Sequence, residues 1–214
     1  MGEKVIAGSC RRNRRKVEQS YEIVLGGGGV KGFGHLGFLR AIKEFGIATS
    51  KVTGVSIGSL IGAFHTNGFS EDEMKEIFSQ EVFRIRPEGL LKALIPSSGG
   101  GFGLKPLVEE WIETYGLVPN QNLRIVAYDM LKRRPVVFEG CDYDLSVALT
   151  ASCAVPFIMQ PVWNLPQAVA SGLRSFWSSI TGDPKEGLLV DGGLHHPSPA
   201  EFCDGPAIIS KLGF

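Results

Sequence analysis

The chain has 214 residues, with 22 basic and 22 acidic side chains, and it is 43% hydrophobic and 21% charged. This length suits one domain with a well-buried core. The formal net charge is zero, so no global electrostatic field favours nucleic-acid binding, and we expect no nucleic-acid partner. The four cysteines show no metal-binding spacing, which fits a reduced compartment.

The N-terminal segment, residues 1–20, is predicted to be a flexible tail, and residues 21–214 are predicted to form the folded domain. A basic run over residues 11–16 would be attracted to anionic lipid headgroups, but a solvated arm is the simpler interpretation. The tail lacks the apolar core of a signal peptide, and no apolar run reaches the ~20 residues of a membrane span. We therefore expect a soluble, cytoplasmic protein.

From residue 21 onwards, predicted strands and helices alternate. The strands are expected at 21–25, up to 53, 123–128, 135–138, 188–190 and 207–210. The helices are expected at 35–45, from 59 to about 67, from a capping box at Ser70 and Glu73, at 105–115 and at 146–151. This alternation, with glycines at the strand ends, predicts a three-layer α/β/α sandwich with a mainly parallel central sheet. Function then belongs at the carboxyl ends of the strands.

The pentapeptide Gly54-Val-Ser-Ile-Gly58 separates a predicted strand from a predicted helix. A G-x-S-x-G sequence in that context is a nucleophile elbow, in which the two glycines permit a strained turn that projects Ser56 from the sheet edge. The N–H of Ile57 is then a candidate oxyanion donor. The alternative interpretation is a glycine-rich turn with an incidental serine.

The glycine loop, residues 27–32, follows the first predicted strand. Gly27, Gly29 and Gly32 match the dinucleotide fingerprint G-x-G-x-x-G, but the acidic residue that should hold the ribose about 20 residues later is absent. Lys31 is followed by glycine rather than Ser or Thr, which excludes a Walker A loop. Backbone N–H groups of such a loop at a helix N-terminus can instead converge on a developing oxyanion.

A serine nucleophile needs a proton acceptor, and the C-terminal part of the chain offers two kinds. His195 and His196 follow Asp191 in the Ser-Asp-His order of α/β-hydrolases, but the spacing is tight for a triad. Asp191 itself ends a predicted strand and precedes Gly192-Gly193, so it would stand at the active edge and act as base directly. An ordinary Asp-Gly turn is the alternative.

Three motifs in this order resemble the patatin-like phospholipase family: the glycine loop, the Ser56 pentapeptide and Asp191-Gly-Gly193. Residues 151–156, Ala-Ser-Cys-Ala-Val-Pro, resemble a further family block. The similarity covers nearly everything after residue 21. Two departures concern lid structure and regulation: the Asn that often follows the Asp-Gly-Gly turn is replaced by Leu194-His195, and the chain stops just after its last predicted strand.

The resemblance implies a lipid acyl hydrolase with a Ser-Asp dyad and with neither cofactor nor metal. Ser56 is then the nucleophile, Asp191 the proton acceptor, and the oxyanion donors come from Gly27, Gly28, Gly29, Val30, Lys31 and Gly32. The implied substrates are phospholipids or lysophospholipids, reached by transient contact with a membrane surface. The rival interpretations are a dinucleotide-binding protein and a patatin-fold binding protein with little turnover.

Two segments have features that fit a role in substrate access. Apolar residues recur at helical spacing over 165–180, which fits a lid or an interfacial surface but more often indicates core packing. The glycine-rich stretch over residues 97–103 fits either a mobile flap or a plain connector.

Overall fold

The computed structural model describes residues 19–84, 104–156, 159, 161–164 and 187–212. The basic run at 11–16, the stretch at 97–103 and the amphipathic segment at 165–180 lie outside the described residues. None of the described helices is long and apolar enough to cross a membrane.

The described elements follow the predicted order. The strands are β1 (Tyr21–Leu25), β2 (Thr49–Val55), β3 (Leu123–Asp129), β4 (Arg134–Glu139), β5 (Val162–Asn164), β6 (Gly187–Asp191) and β7 (Ala207–Ser210). The helices are α1 (Phe33–Glu44), α2 (Ile57–Thr66), α3 (Glu71–Arg84), α4 (Lys105–Tyr115) and α5 (Leu145–Ser152). Strand β5 was not predicted. The capping box of α3 is confirmed, because the N–H of Ser70 donates to Glu73 Oε2 at 2.8 Å and the N–H of Glu73 donates to Ser70 Oγ at 3.3 Å.

The seven strands form one mixed sheet in the order β5-β6-β3-β2-β1-β7, with β4 paired to β3 outside this path. The four strands β3, β2, β1 and β7 run parallel, whereas β4 and β6 pair with β3 antiparallel and β5 pairs with β6 antiparallel. The α/β class is confirmed, with parallel strands in the centre as predicted and antiparallel strands added on one side.

Strand β3 brings two other strand ends together. Its residues 124–129 pair with β4 along one edge. On the other edge, β2 occupies the first half, ending at the pair Val55–Val126, and β6 occupies the second half, beginning at the pair Asp191–Ala127. Because β2 is parallel to β3 and β6 is antiparallel to it, their carboxyl ends meet head to head on a single edge.

Helix α2 packs against this sheet and is buried along most of its length. Its Phe64 is fully buried and makes edge-to-face contacts with Phe69, Phe78 and Tyr115 at centroid distances of 5.1, 5.2 and 5.3 Å. Such pairs add about 0.5–1.5 kcal/mol each beyond their buried area. The helix that follows Ser56 is therefore held rigidly against the sheet.

Candidate active site

Ser56 occupies a sharp turn between β2 and α2. Its backbone has φ 54° and ψ −129°, in the left-handed half of conformational space that a residue with a side chain rarely adopts. Such strain typically costs on the order of 1–3 kcal/mol and is concentrated at functional sites. The predicted elbow geometry is therefore present at Ser56.

The two flanking glycines are required by close backbone approach. A Cβ at Gly58 would lie 2.2 Å from the carbonyl oxygen of Leu25, and a Cβ at Gly54 would lie 2.5 Å from that of Gly58. Neither position has room for a methyl group, because the obstacle is backbone. The elbow therefore packs directly against the end of β1, where the glycine loop begins.

Asp191 lies at the carboxyl end of β6 and faces Ser56. Its Oδ2 accepts a hydrogen bond from Ser56 Oγ at 2.6 Å, and its Oδ1 accepts one from the N–H of Gly193 at 2.7 Å. The side chain is buried, with 4% of the residue exposed. Burial raises the pKa of this carboxyl above its usual value of 3.8, although both hydrogen bonds act in the opposite direction. The structure thus brings the predicted nucleophile and the predicted base into direct contact.

The Asp-Gly-Gly turn leaves little space for larger residues. A Cβ at Gly192 would lie 2.9 Å from the carbonyl oxygen of Val126, and a Cβ at Gly193 would lie 3.0 Å from Asp191 Oδ1. A short 3-10 helix, Gly192–Leu194, follows directly, and the Asp191 side chain caps it. The turn therefore holds the Asp191 carboxylate in one orientation.

The glycine loop lies beside Ser56 and ends in a 3-10 helix, Gly29–Gly32. A Cβ added at Gly27 would lie 3.5 Å from Ser56 Cβ, so the loop backbone passes close to the Ser56 side chain. Two N–H groups of the loop are already bonded, because Gly27 donates to Pro197 O at 3.2 Å and Lys31 donates to Gly28 O at 3.1 Å. Gly28, Gly29 and Val30 lie between these two donors, and Gly29 takes a positive φ of 54°. Val30 is largely exposed, and Gly32 packs against Ile57.

His35 holds the residue that precedes the glycine loop, Gly26, through a hydrogen bond. Its Nε2 lies 2.8 Å from Gly26 O and its Nδ1 lies 2.8 Å from Ser210 Oγ. A carbonyl oxygen can only accept, so Nε2 donates to Gly26 while Nδ1 accepts the Ser210 hydroxyl proton. Burial lowers the pKa of His35, which keeps the ring neutral in this arrangement. The histidine therefore has a structural role at this position.

The late histidines are engaged elsewhere. His195 stacks on Tyr128 with ring centroids 3.7 Å apart, and His196 Nδ1 is bonded to Glu201. Both oxygens of Asp191 have partners, in Ser56 and Gly193. The Ser-Asp-His triad considered from the sequence is therefore not assembled in this structure.

Two cavities meet at Ser56. The first, of about 250 Å³, is lined almost entirely by apolar groups that include Phe33, Leu60 and Trp111. The second, of about 680 Å³, is more polar and is bounded by the glycine loop, Asp191 and Leu194. The Ser56 hydroxyl stands at their junction. Among the described residues, no cluster of three or more His, Cys, Asp or Glu side chains is arranged to hold a metal ion.

One contact of the site was not predicted from the sequence. The N–H of Ser56 donates to the Ser152 hydroxyl at 2.9 Å, and that hydroxyl donates to Val126 O at 2.7 Å. Ser152 belongs to the Ala-Ser-x-Ala-x-Pro block, so the motif gave a signal, but its role was not apparent before the tertiary contacts were known.

Known proteins are similar in sequence to most of this chain. A family model described as patatin-like phospholipase matches residues 23–204. Neuropathy target esterase sws from Drosophila persimilis is 57% identical over 188 residues, covering 84% of this chain and 12% of that protein. Lysophospholipase NTE1 from Mycosarcoma maydis is 44% identical over 71 residues, covering 33% of this chain and 4% of that protein. The chain therefore spans a small part of the length of these relatives.

A solved structure shares the fold. VipD from Legionella pneumophila superposes with a TM-score of 0.51 at 14% sequence identity, covering 82% of this chain and 46% of that one. At this identity the match concerns the fold alone.

Proposed function

The chain belongs to the patatin-like phospholipase family, and from this premise we propose that it hydrolyses fatty-acyl esters of phospholipids or lysophospholipids through an acyl-serine intermediate. The family supports a lipid hydrolase in general terms. The relative named lysophospholipase supports the narrower substrate class. The single observation that carries the mechanism is the 2.6 Å contact between Ser56 Oγ and Asp191 Oδ2.

In the proposed first step, Ser56 Oγ attacks the ester carbonyl carbon while Asp191 takes its proton. Burial raises the pKa of Asp191, and a raised pKa makes this carboxylate a stronger proton acceptor than a solvated aspartate. Protonated Asp191 then donates to the departing alcohol oxygen. In the second step, Asp191 takes a proton from water as the water oxygen attacks the acyl-serine carbonyl carbon. Asp191 then returns this proton to Ser56 Oγ as the bond between Oγ and the acyl carbon breaks, which releases the fatty acid and restores the dyad.

The oxyanion of each tetrahedral intermediate needs backbone donors close to Ser56. The N–H groups of Gly27 and Lys31 already donate to other carbonyl groups. We therefore expect the oxyanion donors among the other residues of the glycine loop. The N–H groups of Gly28, Gly29 and Val30 are the candidates that lie between them. Ile57 is the first residue of α2, where an N–H has no intrahelical acceptor, so it is a further candidate.

The two cavities offer separate places for the two halves of an ester. The apolar cavity of about 250 Å³ suits a fatty-acyl chain, because its lining has almost no polar surface. The more polar cavity holds Asp191, which has to reach the leaving oxygen, so it suits the glycerol and headgroup side. We assign the acyl chain to the first cavity and the alcohol to the second.

Contact with a lipid surface is supported by apolar side chains around these openings. Val30 is 74% exposed, Leu194 is 62% exposed and Phe33 is 37% exposed, and all three line one cavity or the other. Exposed apolar groups grouped at a mouth favour insertion into a lipid interface. Val30→Ser together with Leu194→Ser should weaken sedimentation with phosphatidylcholine vesicles. Phe45→Ser is the matched control, since Phe45 is 81% exposed at the far end of α1.

The proposed activity is tested with a fluorophosphonate probe and a p-nitrophenyl acyl ester. We expect labelling and ester hydrolysis by the wild-type protein, and loss of both in Ser56→Ala. If the folded wild-type protein neither reacts with the probe nor hydrolyses the ester, the proposed activity is refuted and the patatin-fold binding protein is favoured. Binding of a nicotinamide dinucleotide in place of labelling would favour the dinucleotide interpretation.

A further inference from the structure

We propose that Ser152 is a positioning residue that holds Ser56 and Asp191 at their working distance. The proposal rests on the proposed serine-hydrolase function. It concerns residues 152–154, which we call the dyad bridge. This segment ends α5 and crosses the junction at which β2 and β6 meet.

The Ser152 hydroxyl fills the gap between the two strand ends. Val126 is the last β3 residue that pairs with β2, and Ala127 is the first that pairs with β6. At this point Ser152 Oγ donates to Val126 O at 2.7 Å and accepts from the N–H of Ser56 at 2.9 Å. A hydroxyl has one proton to donate and lone pairs to accept with, so both bonds form at once. Ser152 is completely buried.

The other end of the dyad bridge holds the base. The N–H of Asp191 donates to Ala154 O at 2.9 Å. Ser152 and Ala154 are two residues apart, so one short segment contacts the main chain of both members of the Ser56–Asp191 pair. The distance between nucleophile and base is therefore set in part by the geometry of this segment.

The backbone carbonyl oxygen of Ser56 has more hydrogen-bond partners than its N–H group. Its carbonyl oxygen accepts from Ser59 Oγ at 2.6 Å, from Ser59 N at 2.9 Å and from Leu60 N at 3.4 Å. Its N–H instead relies on the Ser152 hydroxyl. Because Ser56 has a strained φ of 54°, removing that partner lets the elbow relax and moves Oγ relative to Asp191.

Ser152→Ala is the test, with Thr150→Val as the matched control on the same helix. The Thr150 hydroxyl is buried and has no hydrogen-bond partner among the described residues, so its removal breaks no contact. We expect Ser152→Ala to lower kcat and the rate of fluorophosphonate labelling by ~10–100-fold with KM little changed, since small misplacements of reacting groups have effects of this size. Thr150→Val should leave both unchanged.

A double variant separates positioning from general damage. If Ser152 acts through the dyad, Ser152→Ala should lower the labelling rate far less in an Asp191→Asn background than in the wild type. Without the Asp191 carboxylate, the distance that Ser152 maintains between Ser56 and residue 191 no longer affects proton transfer. Equal losses in both backgrounds, or wild-type kcat in Ser152→Ala, would overturn the inference. Failure of the wild-type protein to label would instead refute the proposed function itself.

Discussion

Replacing Asp191 by Asn should abolish most of the activity and yet stabilise the protein. The amide keeps the size of the carboxyl but has no capacity to take the Ser56 proton. General-base catalysis contributes about 10²–10⁴ in rate, which corresponds to about 2.7–5.4 kcal/mol of transition-state stabilisation. We expect kcat for a p-nitrophenyl ester to fall by that factor while KM changes little.

The gain in stability follows from the direction of the pKa shift. Burial raises the pKa of Asp191 in the folded protein, so the folded state binds this proton more tightly than the unfolded state does. The free energy of unfolding of the wild type therefore decreases as pH rises from the unfolded pKa through the folded one, and it stays lower above it. Asn carries no such penalty, so its melting temperature should exceed that of the wild type at neutral pH, and the difference should disappear in acid.

The assay compares turnover and thermal unfolding of the same preparations, with His196→Ala as the control. His196 is bonded to Glu201 and has no contact with Asp191, so its removal should leave turnover near that of the wild type. Activity in Asp191→Asn within tenfold of the wild type would refute the role of Asp191 as base. Loss of activity in His196→Ala, with activity retained in Asp191→Asn, would support the Ser-Asp-His triad instead of the dyad.

The remaining predictions concern pH and the elbow. Because the pKa of Asp191 is raised from 3.8, the acid limb of the kcat profile should lie above the pH at which an exposed aspartate titrates, and a limb at that ordinary value would contradict the burial argument. Gly58→Ala should prevent correct folding, since its Cβ would lie 2.2 Å from Leu25 O, and a soluble, active variant would show that this contact had been misjudged. Gly37→Ala, in α1 with open space around the new methyl group, should stabilise the protein by about 0.5–1 kcal/mol, read as a higher melting temperature.

The elements and the placement of Ser56 and Asp191 at strand ends could be predicted from the sequence because their signals are local. Glycines on either side of Ser56 and after Asp191 mark strand ends, and strand ends are where an α/β fold places its chemistry. The capping box at Ser70 is likewise read from four consecutive residues. These features need no knowledge of distant contacts.

The features that could not be predicted from the sequence depend on contacts between segments far apart in the chain. The hydrogen bond from the Gly27 N–H to Pro197 O, which narrows the proposed oxyanion donors, joins residues near the two ends of the domain sequence. The head-to-head meeting of β2 and β6 requires β6 to run antiparallel to β3, at one side of the parallel strands, and no periodicity in β6 specifies its direction. The role of Ser152 follows only from that junction.

The junction on β3 also bears on how the protein matures. Ser56 and Asp191 are 135 positions apart, and contacts of such separation carry a high entropic cost of loop closure during folding. Without β6 paired to β3, the proposed nucleophile has no acceptor for its proton. Under the proposed mechanism, turnover therefore reports on the docking of β6 against β3, a long-range contact, rather than on the local elements around Ser56.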